Sequence, residues 1–372
     1  MSKISGKAVV IDAQPTATGD ARRGGGVFPV LLNGRLCDEN CDKRVAFLLC
    51  HPAGNFTTHY LLPHLEERGI AAMGMATRYI NNELELTMEV CVQDLGRGVQ
   101  FLRDSGYEKV ILIGNSGGGA LSCLYQAEAE APFITTFPDG DPLDIGRLVP
   151  VDGLVLLSPH PGRAQALTEW LDPAVIDEGE PHLRDPDLDL FADRPLPFDR
   201  QWIAEFRRAQ LQRNRRLSDY ALTTLKALRA QQDGPLDQVM TVHGTGADPR
   251  FVDLTLDPNG RKPRPIETVR RLNNSHLSMG RLSTLRTWLS QWSVDHSRAD
   301  GPDCFARTRI PALLIEHGND EIVFPSYLRR YKHARQDVEV ETLEGATHFM
   351  IGQDAIKDRL AGRLVRWARE LC

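Results

Sequence analysis

Apolar runs bounded by turn residues alternate along this chain with longer segments in which apolar residues recur at helical spacing. Unbroken runs rich in Val, Ile and Leu are typical of strands that are buried on both faces of a parallel sheet. The pattern predicts strands at residues 44–50, 69–75, 110–113, 151–157, 311–316 and 338–343, and helices at 58–68, 83–104, 120–128 and 355–370. This alternation indicates an α/β fold, with a mostly parallel twisted sheet and helices on both of its faces.

The alternation is absent near the N-terminus. Residues 8–12 and 27–32 predict an antiparallel edge of the sheet, and a polar, Gly-rich stretch at 16–26 separates them.

The alternation also stops in the middle of the chain. Between residues 158 and 306 the pattern predicts a Pro- and Asp-rich mobile arm at 172–200, helices at 201–232 and 266–292, and a strand at 250–256. We therefore predict a core domain formed by residues 1–157 and 307–372, with a mainly helical cap inserted at 158–306.

The strand predicted at 110–113 ends in the sequence Gly-Asn-Ser-Gly-Gly at residues 114–118. A chain with 31 glycines contains this G-x-S-x-G pattern by accident at a rate on the order of one in ten. Here a strand precedes the pattern and a helix follows it, so Ser116 lies on a strand-to-helix turn. Its hydroxyl is then exposed at a helix N-terminus, where the helix dipole favours a developing negative charge. We therefore interpret Ser116 as a nucleophile rather than as an ordinary turn residue.

A second loop, His51-Pro52-Ala53-Gly54, follows the strand predicted at 44–50. A loop that leaves a central strand and enters a helix has unpaired backbone N–H groups, which can donate to an oxyanion. Because Pro52 has no N–H, the predicted donor is Ala53 or Gly54.

Residues that follow predicted strands are candidates for substrate binding, because open α/β sheets bind ligands at the carboxyl ends of their strands. These candidates are His51, Asn55, Arg78, Tyr79 and Asn115. Arg78 either clamps a substrate carboxylate or forms a surface ion pair.

Two further strand ends carry Asp320 and His348. A hydroxyl that attacks a carbonyl needs a base for its proton, which an imidazole supplies while a carboxylate orients the ring. Asp320 alone could be a turn former and His348 an ordinary loop histidine. Their positions on successive strand ends after the serine turn favour instead a triad with Ser116. The competing acids are Glu316, Glu321 and Asp295.

These motifs resemble those of the α/β-hydrolases, in this chain with a large cap. The resemblance rests on the serine turn, the His51 loop, and the segments His-Gly-Asn-Asp at 317–320 and Gly-Ala-Thr-His at 345–348. It covers roughly residues 44–157 and 307–372, and it implies the triad above with the Gly117 N–H as one oxyanion donor. The chain departs from the family at Pro52, where a glycine is usual, so the other donor stays open between Ala53 and Gly54.

A serine nucleophile implies an acyl-enzyme, whereas the dehalogenases and epoxide hydrolases of this superfamily use an aspartate. The first hypothesis is a hydrolase that cleaves a carboxylic ester, thioester or amide of a small or medium-sized molecule. The second is a carbon–carbon bond hydrolase that acts on a diketone-like substrate with the same triad. The third is a non-catalytic ligand-binding protein on this scaffold, against which the complete triad argues.

Composition bears on partners and location. The 372 residues are 41% hydrophobic and 25% charged, which is typical of a soluble globular protein. A net charge of -6 disfavours nucleic acid and anionic membranes as partners. The N-terminus lacks the apolar stretch of a signal peptide, and no run approaches membrane-spanning length, so we expect a cytoplasmic protein.

Cofactor motifs are weak. Seven cysteines do not form a disulfide framework, and the Cys37-x-x-x-Cys41 pair has no second pair nearby, so we expect no metal site. Gly244-Thr245-Gly246 lacks the third glycine of a dinucleotide loop. We expect a small-molecule substrate, no cofactor, and neither nucleic acid nor membrane as a partner. A homodimer stays open.

Overall fold

A computed structural model describes residues 6–13, 22–23, 26–27, 30–231 and 236–371 of the protein. In these residues, an eight-stranded, mostly parallel sheet forms the centre of the fold. Its strands are β1 (Lys7–Ala13), β2 (Val30–Cys37), β3 (Val45–His51), β4 (Ala71–Ala76), β5 (Lys109–Asn115), β6 (Gly153–Leu157), β7 (Ala312–His317) and β8 (Glu339–Leu343). They lie in the spatial order β1-β2-β4-β3-β5-β6-β7-β8. The pairs β1–β2 and β2–β4 are antiparallel, and the remaining pairs are parallel. The predicted α/β sheet is therefore confirmed.

The antiparallel edge forms as expected, but its second strand starts later in the sequence. β2 begins at Val30 and pairs with β1, so that Ile11 lies opposite Leu32. Of the segments predicted there, residues 28–29 and most of the Gly-rich stretch at 16–26 lie outside the described residues.

Helices cover both faces of the sheet because side chains alternate along each strand. In β3, Ala46 and Leu48 face the layer that contains α2 (Met88–Asp104), α3 (Gly117–Glu130) and α9 (Pro325–Ala334). Phe47 and Leu49 face the opposite layer, which contains α1 (Leu61–Glu66) and α10 (Asp354–Glu370). Because β3 to β8 run parallel, their C-terminal ends lie along one edge of the sheet, as the site below requires.

Residues 158–306, called the cap segment below, interrupt the alternation between β6 and β7. Their helices are α4 (Arg163–Trp170), α5 (Arg200–Arg229), α6 (Ile266–Asn274), α7 (Leu285–Thr287, continued as a π-helix at Trp288–Trp292) and α8 (Gly301–Ala306). They also contain single 3₁₀ turns at Pro186–Leu188 and Pro249–Phe251, and a ribbon of Val239–Thr241 paired with Leu282–Thr284. The segment is mainly helical, and its separation from the core as a domain at these boundaries stays a prediction.

The cap segment has an apolar core of its own. Trp288 and Trp292 are fully buried there, packed with Leu217 of α5 and Leu167 of α4. The helical spacing of Leu285, Trp288, Leu289 and Trp292 predicts that these side chains form core rather than a ligand cage, and their burial agrees with that interpretation.

Two elements predicted in the cap segment are wrong. The strand predicted at 250–256 does not form: Pro249–Phe251 is a 3₁₀ turn, and residues 252–256 continue as turns and irregular backbone. The Asp248 side chain accepts the Arg250 N–H, and Pro249 occupies the first position of the 3₁₀ turn. The helix predicted at 266–292 breaks after α6, and the chain turns at Gly280, which has a φ of +68°.

The arm at 172–200 is anchored by buried groups despite its few apolar residues. Asp172 is fully buried and pairs with Arg184, which also pairs with Asp189. Leu190 and Phe198 are buried as well. The mobility expected of this arm stays a prediction. Among the described residues, no helix is both long and apolar enough to cross a membrane.

Gly118, in the first turn of α3, allows the helix to approach β3. A Cβ at this position would lie 2.4 Å from the backbone oxygen of Cys50. We expect Gly118→Ala to lower the free energy of unfolding by about 1 to 3 kcal/mol or more, because backbone atoms must shift. Urea denaturation followed by circular dichroism measures this change.

The matched control is Gly362→Ala in α10. The nearest atom to a Cβ there is the Arg366 guanidinium Nη1 at 3.8 Å, so alanine adds helix propensity without a clash. This variant should be more stable than the wild type by up to about 1 kcal/mol. Equal urea midpoints for the two variants would contradict the proposed close approach.

Candidate active site

Ser116 lies on a strained turn between β5 and α3. Its backbone has φ 54° and ψ -121°, a region that non-glycine residues rarely occupy. The turn places the serine at the N-terminus of α3, where the backbone N–H groups and the helix dipole favour negative charge. This is the geometry predicted from the glycines around the serine.

The structure brings the three predicted triad residues together. Ser116 Oγ lies 3.1 Å from His348 Nε2, and His348 Nδ1 lies 2.8 Å from Asp320 Oδ2. Asp320 follows β7 and His348 follows β8, which are neighbours in the sheet. The hydroxyl, the imidazole and the carboxylate therefore form one continuous chain of hydrogen-bond partners.

Asp320 is fully buried, and its carboxylate takes part in four hydrogen bonds. Its Oδ2 accepts from the Ser158 hydroxyl at 2.6 Å and faces His348, while Oδ1 accepts the N–H groups of Ile322 and Val323 at 2.8 and 2.7 Å. Burial raises the pKa of Asp320, but the charge of His348 and these hydrogen bonds outweigh burial and hold the pKa below its ordinary value. Asp320 is thus a carboxylate at neutral pH.

His348 differs from the other histidines of the site in the direction in which its pKa is shifted. Burial lowers the pKa of His348, but the charge of Asp320 and their hydrogen bond raise it above the ordinary value of 6.5. Desolvation holds the pKa of His51 well below 6.5 and lowers the pKa of His160 to about 3 and that of His317 to about 4. His348 is therefore the one of these four histidines whose pKa lies above 6.5.

The two amides between which the sequence leaves the second oxyanion donor open have a partner in this structure. Gly54 N–H and Ala53 N–H donate to His51 Nδ1 at 2.8 and 3.2 Å. Since Nδ1 accepts, the proton of the neutral His51 ring lies on Nε2. A Cβ built on Gly117 would lie 2.6 Å from this Nε2, so the ring N–H stands beside the residue that follows Ser116.

A pocket of about 360 Å³ opens over these groups. Ser116, His51 and His348 lie on its core side, and His160 and Arg163 reach it from the cap segment. Its apolar wall consists of Ala53, Ala166, Trp170, Met279, Ile322 and Phe349. Three of these apolar residues, Ala166, Trp170 and Met279, belong to the cap segment.

A family model described as the alpha/beta hydrolase family matches residues 48–358 of the chain. The chain belongs to this family. The membership supports a hydrolase activity, and the α/β-hydrolase fold expected from the motifs is confirmed.

Solved structures give distant matches to this hydrolase. It is similar to the esterase domain of a Rhodothermus marinus protein, with 14% identity, a TM-score of 0.46 and coverage of 98% of both chains. It is also similar to a monoacylglycerol lipase of Paleococcus ferrophilus, with 15% identity, a TM-score of 0.46 and coverage of 92% of this chain and 99% of that one. No curated protein sequence matches the chain significantly.

Four of the five predicted substrate contacts of the hydrolase lie outside the described lining of the pocket. Arg78 donates to the buried carboxylate of Asp94 at 2.6 Å, and the Tyr79 hydroxyl lies near Thr87.

Asn115 bonds to the Leu157 carbonyl and to His59, and exposed Asn55 caps the 3₁₀ turn at Phe56–Thr58. These contacts support the fold around the site. Of the five candidates, His51 alone lines the pocket in the described residues.

Other residues enter the site without having been predicted. Ser158 directly follows β6, so the rule that strand ends carry site residues is a signal that points to it. His160 and Arg163 stand near the start of α4, a helix of eight residues with too few apolar positions to show a period. Among the described residues, no group of three or more His, Cys, Asp or Glu side chains is arranged to hold a metal.

The raised pKa of His348 predicts how the reactivity of Ser116 depends on pH. If His348 accepts the serine proton, it does so in its neutral form, and the rate of labelling by a fluorophosphonate should rise with pH through one ionisation with its midpoint above 6.5. His51, His160 and His317 stay neutral across this range and do not contribute. A midpoint below 6.5 would contradict the assignment.

Variants of two aspartates test the pairing of Asp320 with His348. Asp320→Asn should slow the labelling by on the order of four decades, because the amide favours the wrong imidazole tautomer. Asp295→Asn is the control, since Asp295 is exposed and pairs with Arg215 on the cap segment. It should label at the wild-type rate.

Proposed function

We propose that the protein is a serine hydrolase that cleaves a carboxylic ester, thioester or amide of a small or medium-sized molecule through an acyl-enzyme on Ser116. The observation that carries the proposal is the continuous chain Ser116–His348–Asp320, with distances of 3.1 and 2.8 Å, whose serine and histidine line a pocket of about 360 Å³. It also rests on membership in the alpha/beta hydrolase family.

Each triad residue has a defined role in acylation. Ser116 Oγ attacks the substrate carbonyl carbon while its proton passes to His348 Nε2. Asp320 holds Nδ1–H of the ring and stabilises the imidazolium that forms. When the tetrahedral intermediate collapses, the leaving alcohol, thiol or amine takes the proton from Nε2. Water then enters and repeats these steps on the acyl-enzyme, which releases the acid and restores Ser116.

The negative oxygen of the tetrahedral intermediate needs donors near Gly117. The N–H of Gly117 is one, since it opens α3 directly after the nucleophile. We assign the second to His51 Nε2–H, because the Ala53 and Gly54 amides are directed at Nδ1 of the same ring. The lowered pKa of His51 keeps the ring neutral, so the donor does not change with pH.

The proposal predicts that Ser116 is the residue that a fluorophosphonate labels. Ser116→Ala should abolish labelling and lower the rate on p-nitrophenyl esters by about three to six decades, with little effect on folding. Mass spectrometry of the labelled protein and a panel of esters with increasing acyl length measure both effects.

Matched controls separate the competing functions. Ser122→Ala, in the same helix α3, should label like the wild type. A Ser116→Ala variant that keeps a tenth of the wild-type rate would overturn the nucleophile. Turnover of a diketone without turnover of any ester would favour the carbon–carbon bond hydrolase, and absence of labelling would favour a ligand-binding protein.

The assignment of His51 predicts a loss that falls on kcat. His51→Ala removes the ring N–H and at the same time releases the amides of Ala53 and Gly54. We expect kcat on an ester to fall by about a hundredfold to a thousandfold with KM nearly unchanged, because the donor acts on the transition state. His64→Ala, in α1 and outside the described pocket lining, is the control. If the released amides are the donors, kcat falls less than about tenfold, and the assignment is wrong.

A further inference from the structure

The guanidinium of Arg163 lies in the wall of the catalytic pocket. Arg163 is the first residue of α4, its side chain is 3% exposed, and it lines the same pocket as Ser116. Its Nη2 donates to Glu83 Oε2 at 2.5 Å, and its plane stacks on the Trp292 ring with 4.4 Å between Cζ and the ring centroid. This contact and the bond to Glu83 hold the guanidinium in place.

Most of the donors of Arg163 are unused. A guanidinium has five N–H groups, and Glu83 is its one hydrogen-bond partner among the described residues. Arg163 Nε is buried without a partner. Buried polar groups of proteins are nearly always hydrogen-bonded, so this side chain is one for which a ligand atom is a natural partner.

The charge of Arg163 is only partly balanced. The Glu83 side chain is 39% exposed, so water screens its attraction for the guanidinium. After desolvation, the charge of Arg163 is the next cause that lowers the pKa values of His51 and His160. Both rings flank Gly117, so the positive field of Arg163 reaches the wall beside the nucleophile.

We propose that Arg163 binds a carboxylate of the substrate, so that the protein acts on esters or thioesters that carry a free carboxylate, such as monoesters of dicarboxylic acids. This inference rests on the proposed hydrolase function and adds the chemical class of the substrate. The apolar side chains of Ala166, Trp170 and Met279 line the same pocket as Arg163 and Ser116, which suits a short aliphatic chain. A guanidinium is the side chain that best matches a carboxylate, with two parallel N–H donors.

A pair of chromogenic esters tests the proposal. The probes are p-nitrophenyl butyrate and the mono-p-nitrophenyl ester of glutaric acid, which differ by a terminal carboxylate on a similar chain. The wild type should prefer the glutarate ester in kcat/KM by about ten- to a hundredfold, as expected for hydrogen bonds to a charged group. Arg163→Met should reduce this preference to near one.

Two further variants separate recognition from a structural role. Glu83→Gln keeps the hydrogen bond to Arg163 but removes the competing charge, so the preference for the glutarate ester should rise at least threefold. Arg215→Met, which removes an exposed arginine paired with Asp295, should leave the preference unchanged. Should Arg163→Met fail to fold, Glu83→Gln decides: a raised preference supports the proposal and an unchanged one overturns it.

Binding measured without turnover keeps the two proposals distinguishable. In the Ser116→Ala background, calorimetry should show glutarate binding that the additional Arg163→Met change removes. Glutarate binding without hydrolysis of any ester would contradict the hydrolase function and support the anion site. Hydrolysis of both esters at equal rates, with no glutarate binding, would overturn the anion site and keep the hydrolase. A lower melting temperature of Arg163→Met with the preference retained would assign Arg163 a structural role only.

Discussion

The buried carboxylate of Asp320 is the group on which the rest of the site depends. A charge without solvent is tolerated only when hydrogen bonds and an opposite charge replace water, and Asp320 receives both. Its donors come from separate strand ends: Ser158 after β6, the N–H groups of Ile322 and Val323 after β7, and His348 after β8. These ends converge because β6, β7 and β8 are neighbours in the parallel part of the sheet. The strand order is therefore a condition for the orientation of the imidazole, and not merely a scaffold around it.

The cap segment lines the pocket and also supports the loop after β7 that carries Asp320. Asn259 donates to the backbone oxygen of Asp320 at 2.8 Å. Buried Arg250 pairs with Asp248 and contacts the hydroxyl of Tyr327, which lines the pocket from α9. Breaking one member of such a buried ionic group leaves an unpaired charge, which is strongly destabilising. The cap segment and the first turn of α9 are thus held in one arrangement, so the shape of the pocket depends on charges that never contact the substrate.

What the sequence could predict of this molecule is what local rules determine. The parallel strands follow from unbroken apolar runs, and Ser116, Asp320 and His348 follow from turn residues at the ends of those strands. In the cap segment the same rules fail where a local bond outweighs the apolar pattern. Asp248 and Pro249 start a 3₁₀ turn at the point where alternating apolar residues predict a strand.

Local sequence rules could not predict the hydrogen-bond partner of each donor, because a residue type does not show which of its hydrogen bonds are already made. The Ala53 and Gly54 amides follow the expected strand, yet they bond to the ring of His51, two and three residues earlier. Arg78 and Arg163 also show that a residue type does not reveal which hydrogen bonds are already made. Arg78 follows a central strand, but it pairs with the fully buried carboxylate of Asp94. Binding a second anion would therefore require breaking a buried ion pair. Arg163 follows no strand directly, but its partner is partly exposed and one of its nitrogens has no partner among the described residues. The two arginines thus differ in the burial of their partners, which is set only when separate parts of the chain meet in the fold.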